Sequence, residues 1–333
     1  MFKNSTILVT GGTGSWGHEL VSQLLEKHKP KEVRVYSRGE HKQWKMKREF
    51  DNHPKLNFII GDVRDKNVLS FAMRGVDYVF HLAALKHVPI CEDNGWEAVL
   101  TNIYGTQNII ECAIEREVRK VIDASTDKAV APYNLYGVTK ACGEKLMINA
   151  NKLSECQTKF VAIRGGNVVG TAGSVIPLFK EQLANKNEIT VTDERMTRFL
   201  MNTGEAIGLV LKAVKKSLGG EIFVMRMPAT KLGTLAEVMI KMFGDKKTKV
   251  KKIGVRPGEK MDEVLISRDE VGRAKVFSDD YFVILPQYEN KKLEKKYQPC
   301  KPLKLGEFSS RNTKILGKRE LKKVLEAEEW LMK

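Results

Sequence analysis

Gly11-Gly12-Thr13-Gly14-Ser15-Trp16-Gly17 sits between the β-branched run Thr6-Ile7-Leu8-Val9-Thr10 and an amphipathic segment over 15–27. The G-x-x-G-x-x-G spacing is a variant of the dinucleotide fingerprint. Its glycines allow a tight turn and a close approach of backbone to a pyrophosphate. The helix that follows offers free N–H groups to phosphate oxygens. A glycine-rich loop alone is often only a turn; the strand–loop–helix context gives this one its reading. Gly11, Thr13, Gly14, Ser15, Trp16 and Gly17 are therefore candidate cofactor contacts.

Outward from the loop, β-branched runs recur at 32–37, 57–63, 77–84 and 120–126, with amphipathic segments near 65–74, 95–116 and 136–151. Strands alternating with helices predict a parallel sheet covered on both faces. Another strand pattern at 159–164 leads into a loop holding Gly165, Gly166, Gly170 and Gly173. Regularity then falls. Strand patterns at 188–193 and 221–227 flank a helix pattern at 203–217, and further helix patterns cover 234–243 and 318–332. The reading is α/β: a Rossmann-like doubly wound parallel sheet over 1–166, with a returning segment at about 195–226. A smaller interleaved α/β substrate domain takes 167–194 and 227–333.

Composition sets bounds. At 42% hydrophobic and 29% charged, the chain is of ordinary globular type. No apolar run of about 18 residues predicts a spanning helix, and nothing near the start resembles a signal peptide. The five cysteines (Cys91, Cys112, Cys142, Cys156, Cys300) have no metal-like spacing and read as free thiols in a reducing cytoplasm. The histidines suggest no metal site either. The net charge of +16 fits either nucleic acid or anionic small ligands plus solvated lysines. The basic residues are spread out and no nucleic-acid motif appears, so small anions are favoured.

The second strand ends Val35-Tyr36-Ser37-Arg38, with Lys42 following and no carboxylate at its end. An acid there bonds the ribose 2′-hydroxyl of NAD; a hydroxyl and two cations suit a 2′-phosphate. Ser37, Arg38 and Lys42 thus predict NADP, the alternative being a solvated basic turn. Asp62 and Val63 follow the next strand and suit the adenine. Leu82 and Ala83 end the fourth, where small residues let a cofactor lie close to the backbone.

Tyr136 and Lys140 share one face of a predicted helix. A nearby ammonium stabilises phenolate, which suits a Tyr that takes a hydroxyl proton while hydride leaves the same carbon. Ser125-Thr126-Asp127-Lys128 precedes them at the end of the fifth strand. An acid and an amine side by side there add a second acid/base pair. A simple alcohol dehydrogenase has no use for it, so a hidden redox step is implied.

These motifs resemble the extended short-chain dehydrogenase/reductases, and among them the 5-inverting UDP-N-acetylglucosamine 4,6-dehydratases. The resemblance rests on Tyr36-Ser37-Arg38, Ala84-Leu85-Lys86-His87-Val88-Pro89, Ser125-Thr126-Asp127-Lys128-Ala129, Asn134-Leu135-Tyr136-Gly137, Gly166-Asn167-Val168-Val169-Gly170, Met196-Thr197-Arg198-Phe199 and Arg256-Pro257-Gly258-Glu259-Lys260. It runs from residue 7 to about 267. The Thr-Asp-Lys triplet is the most specific part, since retaining sugar-nucleotide dehydratases typically carry Asp-Glu there.

The resemblance implies catalytic roles for Thr126, Asp127, Lys128, Tyr136 and Lys140. Tyr136, assisted by Lys140, deprotonates O4 as hydride leaves C4. Lys128, kept partly neutral by its neighbours, is the base at C5. Asp127 protonates the departing C6 hydroxyl, and Thr126 bonds O4 or the forming carbonyl. Lys86 is expected near nicotinamide and sugar, with Ser125, Asn167, Val175 and Thr192 on the substrate side. Arg198 and Arg256 suit a diphosphate or make structural ion pairs, and Glu259 suits a uridine ribose. His87 reads as structural. A homo-oligomer in the cytoplasm is also implied, with no nucleic acid and no membrane insertion.

Three positions depart from the pattern. Gly165 stands where a Tyr is common, Ala172 where an Arg is common, and Gly95 where a Pro is frequent. The first two lie beside the predicted substrate loop. They bear on substrate identity and C5 outcome more than on the redox core. The alternatives are a retaining dehydratase, a UDP-sugar 4-epimerase, which needs no Asp-Lys pair, and an NADP-sensing regulatory protein, which would not need an intact Tyr/Lys pair.

Overall fold

The computed structural model describes residues 2–153, 157–170, 174–328 and 331; Cys156, Ala172 and Gly173 lie outside them. The apolar runs form strands β1 (Thr6–Thr10), β2 (Glu32–Ser37), β3 (Leu56–Ile60), β4 (Tyr78–His81), β5 (Lys120–Thr126) and β6 (Lys159–Gly165). Between them lie helices α1 (Ser15–His28), α2 (Glu40–Glu49), α3 (Lys66–Ala72), α4 (Val88–Asp93), α5 (Gly95–Val99), α6 (Gly105–Glu115) and α7 (Leu135–Asn149). The next stretch adds β7 (Asn167–Val168), α8 (Val175–Lys186), β8 (Glu188–Val191), β9 (Thr197–Met201), α9 (Thr203–Lys216), β10 (Ile222–Met225), β11 (Ala229–Lys231) and α10 (Leu232–Phe243). Then come β12 (Lys249–Lys252), β13 (Val264–Ile266), α11 (Arg268–Val271), β14 (Ala274–Val276), β15 (Tyr281–Ile284), α12 (Lys291–Tyr297), β16 (Lys301–Pro302), β17 (Phe308–Ser309) and α13 (Lys318–Glu326).

One ten-stranded sheet runs β16-β14-β15-β10-β6-β5-β4-β1-β2-β3. It is parallel from β3 to β10, and β15, β14 and β16 then pair antiparallel. Helices cover both faces, so β1 and β4 are buried along their whole length, as parallel strands must be. The strand order reverses between β1 and β4, which opens a crevice at their C-terminal ends where ligands bind in such sheets. The Rossmann-like α/β expectation matches this architecture.

The remaining chain builds three small sheets: β11-β9-β7, β12-β8 and β13-β17. Beside them α8, α10 and α13 enclose a separate apolar core, with Phe179, Leu183, Leu235, Met239, Leu321 and Leu325 inside. The expected division at residue 227 does not follow the sheets. β14, β15 and β16, read from the sequence as substrate-domain chain, extend the large sheet beyond β10. These strands are two to four residues long, too short for their pattern to show which sheet they join. The return to the large sheet begins with α9, which packs on α1, because β9 belongs to a small sheet.

Two local features escaped the sequence reading. α2 is so polar that only Gln43 and Met46 are buried, leaving no periodic apolar stripe. The helix expected over 95–116 is interrupted by a π-helical turn at Leu100–Tyr104. Such turns commonly serve functional sites. Here the turn buries Asn102, whose Oδ1 accepts from Leu85 N (2.8 Å) and whose Nδ2 donates to Leu85 O (2.8 Å) and Thr139 Oγ1 (3.0 Å). One side chain thus ties the loop after β4 to α7.

Close approach requires glycine at several positions, Gly11 and Gly137 among them. Gly11 has φ +66°, and a Cβ there would lie 2.8 Å from Ala83 N. At Gly137 a Cβ would collide with the Lys128 carbonyl oxygen and come within 3.0 Å of the Pro132 side chain. Gly137→Ala must push α7 away from the segment that carries Lys128. Overpacking of this kind costs about 1–3 kcal/mol, to be read as a lowered denaturation midpoint in urea unfolding.

Candidate active site

A cleft of about 1120 Å³ opens at the switch point. Gly11, Thr13, Gly14, Ser15, Trp16, Gly17, Ser37, Arg38, Lys42, Asp62, Val63, Leu82 and Ala83 line its cofactor side. Ser125, Thr126, Asp127, Lys128, Tyr136, Lys140 and Lys86 line its centre, and Asn167, Val175, Thr192, Arg198, Arg256 and Glu259 its far side. The fold therefore gathers into one cavity every residue singled out from the sequence.

The cofactor end is a cradle of backbone. Gly14 caps α1 with no side-chain hydrogen bond to the helix end, so the first turn presents its N–H groups to the cleft rather than to a cap. Gln43 Nε2 donates to Ser37 Oγ (3.0 Å) and holds it at the end of β2. Arg38 is largely exposed, with Nη1 3.8 Å from Asp62 Oδ2. Asp62 is taken mainly by Arg64, at 2.6 and 2.9 Å. These donors and the backbone cradle fit a dinucleotide.

At the centre, Asp123 lies in β5 and Lys140 in α7, both buried, with Nζ 3.1 Å from Oδ1 and 3.4 Å from Oδ2. Burial alone lowers the Lys140 proton affinity, but Asp123 and the neighbouring Tyr136 raise it above the ordinary lysine value. Tyr136 stands one helical turn before Lys140 and is itself buried. Burial raises its pKa, while Lys140, Lys128 and a hydrogen bond with Thr126 pull it down. The stabilisation of phenolate expected from Lys140 is present, but desolvation exceeds it.

Three residues along β5 from Asp123, Thr126 Oγ1 donates to Asp127 Oδ1 (2.8 Å) and caps the following turn by accepting from Lys128 N (3.3 Å). Lys128 Nζ donates to the same Asp127 Oδ1 (3.1 Å). Asp127 is 1% exposed, and its Oδ2 is buried without a hydrogen-bond partner. Asn167 Oδ1 is in the same condition. Buried polar atoms without partners are costly, so both mark places for ligand donors.

Lys128 departs from the expectation. Its base role needs neighbours that keep it partly neutral, and they do the opposite. Burial lowers its proton affinity, but Asp127, Glu263 and Tyr136 together raise it well above the ordinary value. Lys128 rests as an ammonium. Ser125 differs too, because its hydroxyl donates to buried Glu144 Oε2 (2.7 Å). Glu144 in turn pairs with Arg164, which also pairs with Glu270, beneath the cleft, so Ser125 is committed to the scaffold. Arg198 and Arg256 line the cleft and also pair with carboxylates, Glu263 at 3.8 Å and Glu259 at 4.0 Å.

Glu263 and Asp123 were not singled out from the sequence, and Asn134 and Lys260 stood there only inside motifs, without a role. Asp123 had a signal, an acid inside a buried strand, which demands a partner. Asn134 caps α7 by accepting from Gly137 N (2.8 Å) and donates to Gly258 O (3.0 Å). Lys260 Nζ donates to Val130 O (2.7 Å). Together they clamp the loop 256–260 to the catalytic segment. Glu263 had no local signal, since its partners lie far away in sequence.

A model of the family described as polysaccharide biosynthesis protein matches residues 7–285. The chain belongs to this family. Among its relatives, a UDP-N-acetylglucosamine 4,6-dehydratase (inverting) of Campylobacter jejuni subsp. jejuni is 44% identical over 288 residues, 86% of this chain and 84% of its own. A UDP-glucose 4-epimerase of Rickettsia akari is 42% identical over 330 residues, 98% of this chain and 96% of its own. The X-ray structure of Pen from Bacillus thuringiensis, 41% identical, matches with a TM-score of 0.90 over 98% of this chain and 99% of that one. Solved structures of the same fold at lower identity hold NAD. The resemblance to extended short-chain dehydrogenase/reductases is confirmed, and a nicotinamide cofactor fits the family's cleft.

The Asp123–Lys140 pair yields a stability prediction. Asp123→Ala leaves a buried ammonium unpaired, which costs about 3–5 kcal/mol, read by denaturant unfolding at neutral pH. Because the folded-state affinity of Lys140 is raised, its contribution is fully present below the ordinary lysine value of 10.5 and is lost only as pH climbs through the raised value. The gap between wild type and variant therefore stays constant from pH 7 to 9.

Proposed function

We propose that the protein catalyses NADP-dependent 4,6-dehydration of UDP-N-acetylglucosamine with inversion at C5, giving UDP-2-acetamido-2,6-dideoxy-β-L-arabino-hex-4-ulose. The observation that carries this reading is the Asp127–Lys128 pair, its carboxylate buried, beside Tyr136 and Lys140 in one cleft. The 44% identity to the Campylobacter enzyme supports it. An epimerase needs only the Tyr/Lys pair. The Rickettsia relatives keep that second reading in view, but it leaves the acid–amine pair without work.

Gly11 to Gly17 and the N-terminus of α1 bind the dinucleotide, and Ser37, Arg38 and Lys42 address its 2′-phosphate. A nicotinamide held there would supply the hydride chemistry, as acceptor from C4 and donor to C6. Tyr136 takes the O4 proton, with Lys140 stabilising the phenolate. Asp127 and Lys128 share one proton across 3.1 Å. At rest they are carboxylate and ammonium; elimination needs acid and amine, which is the same pair with its proton shifted. Substrate arrival therefore asks for an internal transfer and no exchange with solvent. The Lys128 amine then takes the C5 proton. The C–H electron pair passes to the C4 carbonyl oxygen and on into a C5–C6 double bond. The C6–O bond breaks, and the oxygen leaves as water with the Asp127 proton. Lys128 and Asp127 end as ammonium and carboxylate. A solvent-derived proton is added to C5 on the opposite face, and Tyr136 gives up the O4 proton to solvent, which restores the resting site.

Arg198 and Arg256 serve the diphosphate, Glu259 the ribose, and Lys86, Asn167, Val175 and Thr192 the sugar side. Residues 1–166 with α9 and β10 form the cofactor portion. Assembly as a homo-oligomer in the cytoplasm belongs to the same reading. No helix among the described residues is long and apolar enough to cross a membrane.

Incubation with UDP-N-acetylglucosamine in heavy water, followed by NMR of the sugar, tests the reaction. A C6 methyl, a C4 ketone or its hydrate, and deuterium at an inverted C5 are expected; recovery of only the C4 epimer sinks the proposal. Lys128→Ala is expected to abolish C5 exchange while NADP stays bound. Arg38→Ala is expected to weaken NADP by roughly tenfold, the worth of one charge-assisted contact, with NAD affinity unchanged in fluorescence titration.

A further inference from the structure

Glu263 is a buried carboxylate facing the cleft with no part in the reaction as written above. Its Oε1 lies 3.5 Å from Lys128 Nζ and 3.8 Å from Arg198 Nε, and its side chain is 5% exposed. Its backbone is fixed. Glu263 N donates to Ser310 Oγ (2.9 Å), and Ser310 N donates back to Glu263 O (2.8 Å). Ser310 Oγ also meets Thr197 Oγ1 at 2.6 Å. The carboxylate is thus set in a ladder between β9 and the start of β13, not on a mobile loop. A charge removed from water at this depth is tolerated only with counter-charges, and it has two cations at ion-pair distance.

We propose that Glu263 is a positioning residue that anchors the Lys128 side chain beside Asp127 and favours its ammonium form. This rests on the reading that Lys128 is the base at C5. The geometry gives the division of labour. Asp127, adjacent in the chain, exchanges the proton with Lys128. Glu263, reaching from a distant strand, holds the amine in line and opposes its loss of charge, so that free amine forms only by transfer to Asp127. The other groups facing Lys128 are Tyr136 on α7, Arg198 on β9, Lys86 after β4 and Lys260 before β13. The three cations already disfavour the ammonium. Glu263 and Asp127 are the carboxylates that outweigh them.

Removing the Glu263 charge while keeping its shape should make Lys128 lose its proton more readily. A nearby opposite charge moves such a group by about one pH unit or more. In Glu263→Gln, with NADP bound, the Lys128 side-chain titration followed by NMR of 13Cε-labelled lysine is expected to move down by about one unit. The signal is assigned by its loss in Lys128→Ala. Glu263→Asp, one methylene shorter, is expected to fall between Gln and wild type, and it keeps the test available should the Gln variant fail to fold. An unchanged titration in either folded variant overturns the proposal. Absence of C5 exchange in the wild type at any pH would sink the dehydration reading instead, with the lysine titration still deciding the role of Glu263.

Discussion

The buried pair between Lys140 and Asp123 is the interaction on which the site depends. Both groups are almost without solvent, and neither is tolerable there alone. Their contact sets α7 against β5. With that contact in place, Tyr136 falls one turn before Lys140 on the helix, and Thr126 and Asp127 fall at the open end of the strand. Gly137 lets the helix pass against the Lys128 backbone. The catalytic groups come from two elements, and one ion pair joins those elements at their buried ends.

Above that pair the cleft is strongly cationic, with Lys86, Lys128, Arg198, Arg256 and Lys260 all facing it. This is where part of the +16 charge goes: a pocket whose cations suit anionic ligands. The same crowding would drive protons off the lysines, and Asp127, Glu259 and Glu263 counter it. The balance leaves Lys128 charged at rest. On the proposed reading, acid–base work at C5 and C6 becomes a matter of moving one proton within a pair. That is a smaller demand than keeping a lone lysine neutral near neutral pH.

The departures near the substrate loop are only partly visible. Gly165 ends β6, where an added Cβ would come within 3.3 Å of Met225 Sδ and 3.7 Å of Trp16. The missing side chain is thus replaced by sulfur and indole already lining that wall. Ala172 lies outside the described residues. Gly95 opens α5, and an added Cβ there would meet Leu135 at 3.0 Å.

The glycine loop, the alternating runs, and the Tyr136/Lys140 and Asp127/Lys128 spacings were legible in the sequence. Each is a local pattern whose meaning follows from backbone period and from adjacency along the chain. Those patterns named the parallel sheet, the cofactor end and the reacting groups. They did not show that β14, β15 and β16 join the large sheet, since strands of two to four residues carry no period to assign. Nor did they show Glu263 against Lys128, Asn134 against Gly258 or Asn102 against Leu85. Pairing across such separations in the chain is decided by packing, because a charge or an amide buried by the fold takes whichever partner the fold brings within reach. For that reason the sequence by itself determined which groups are candidates for the chemistry, and only the tertiary structure decided which partners hold them.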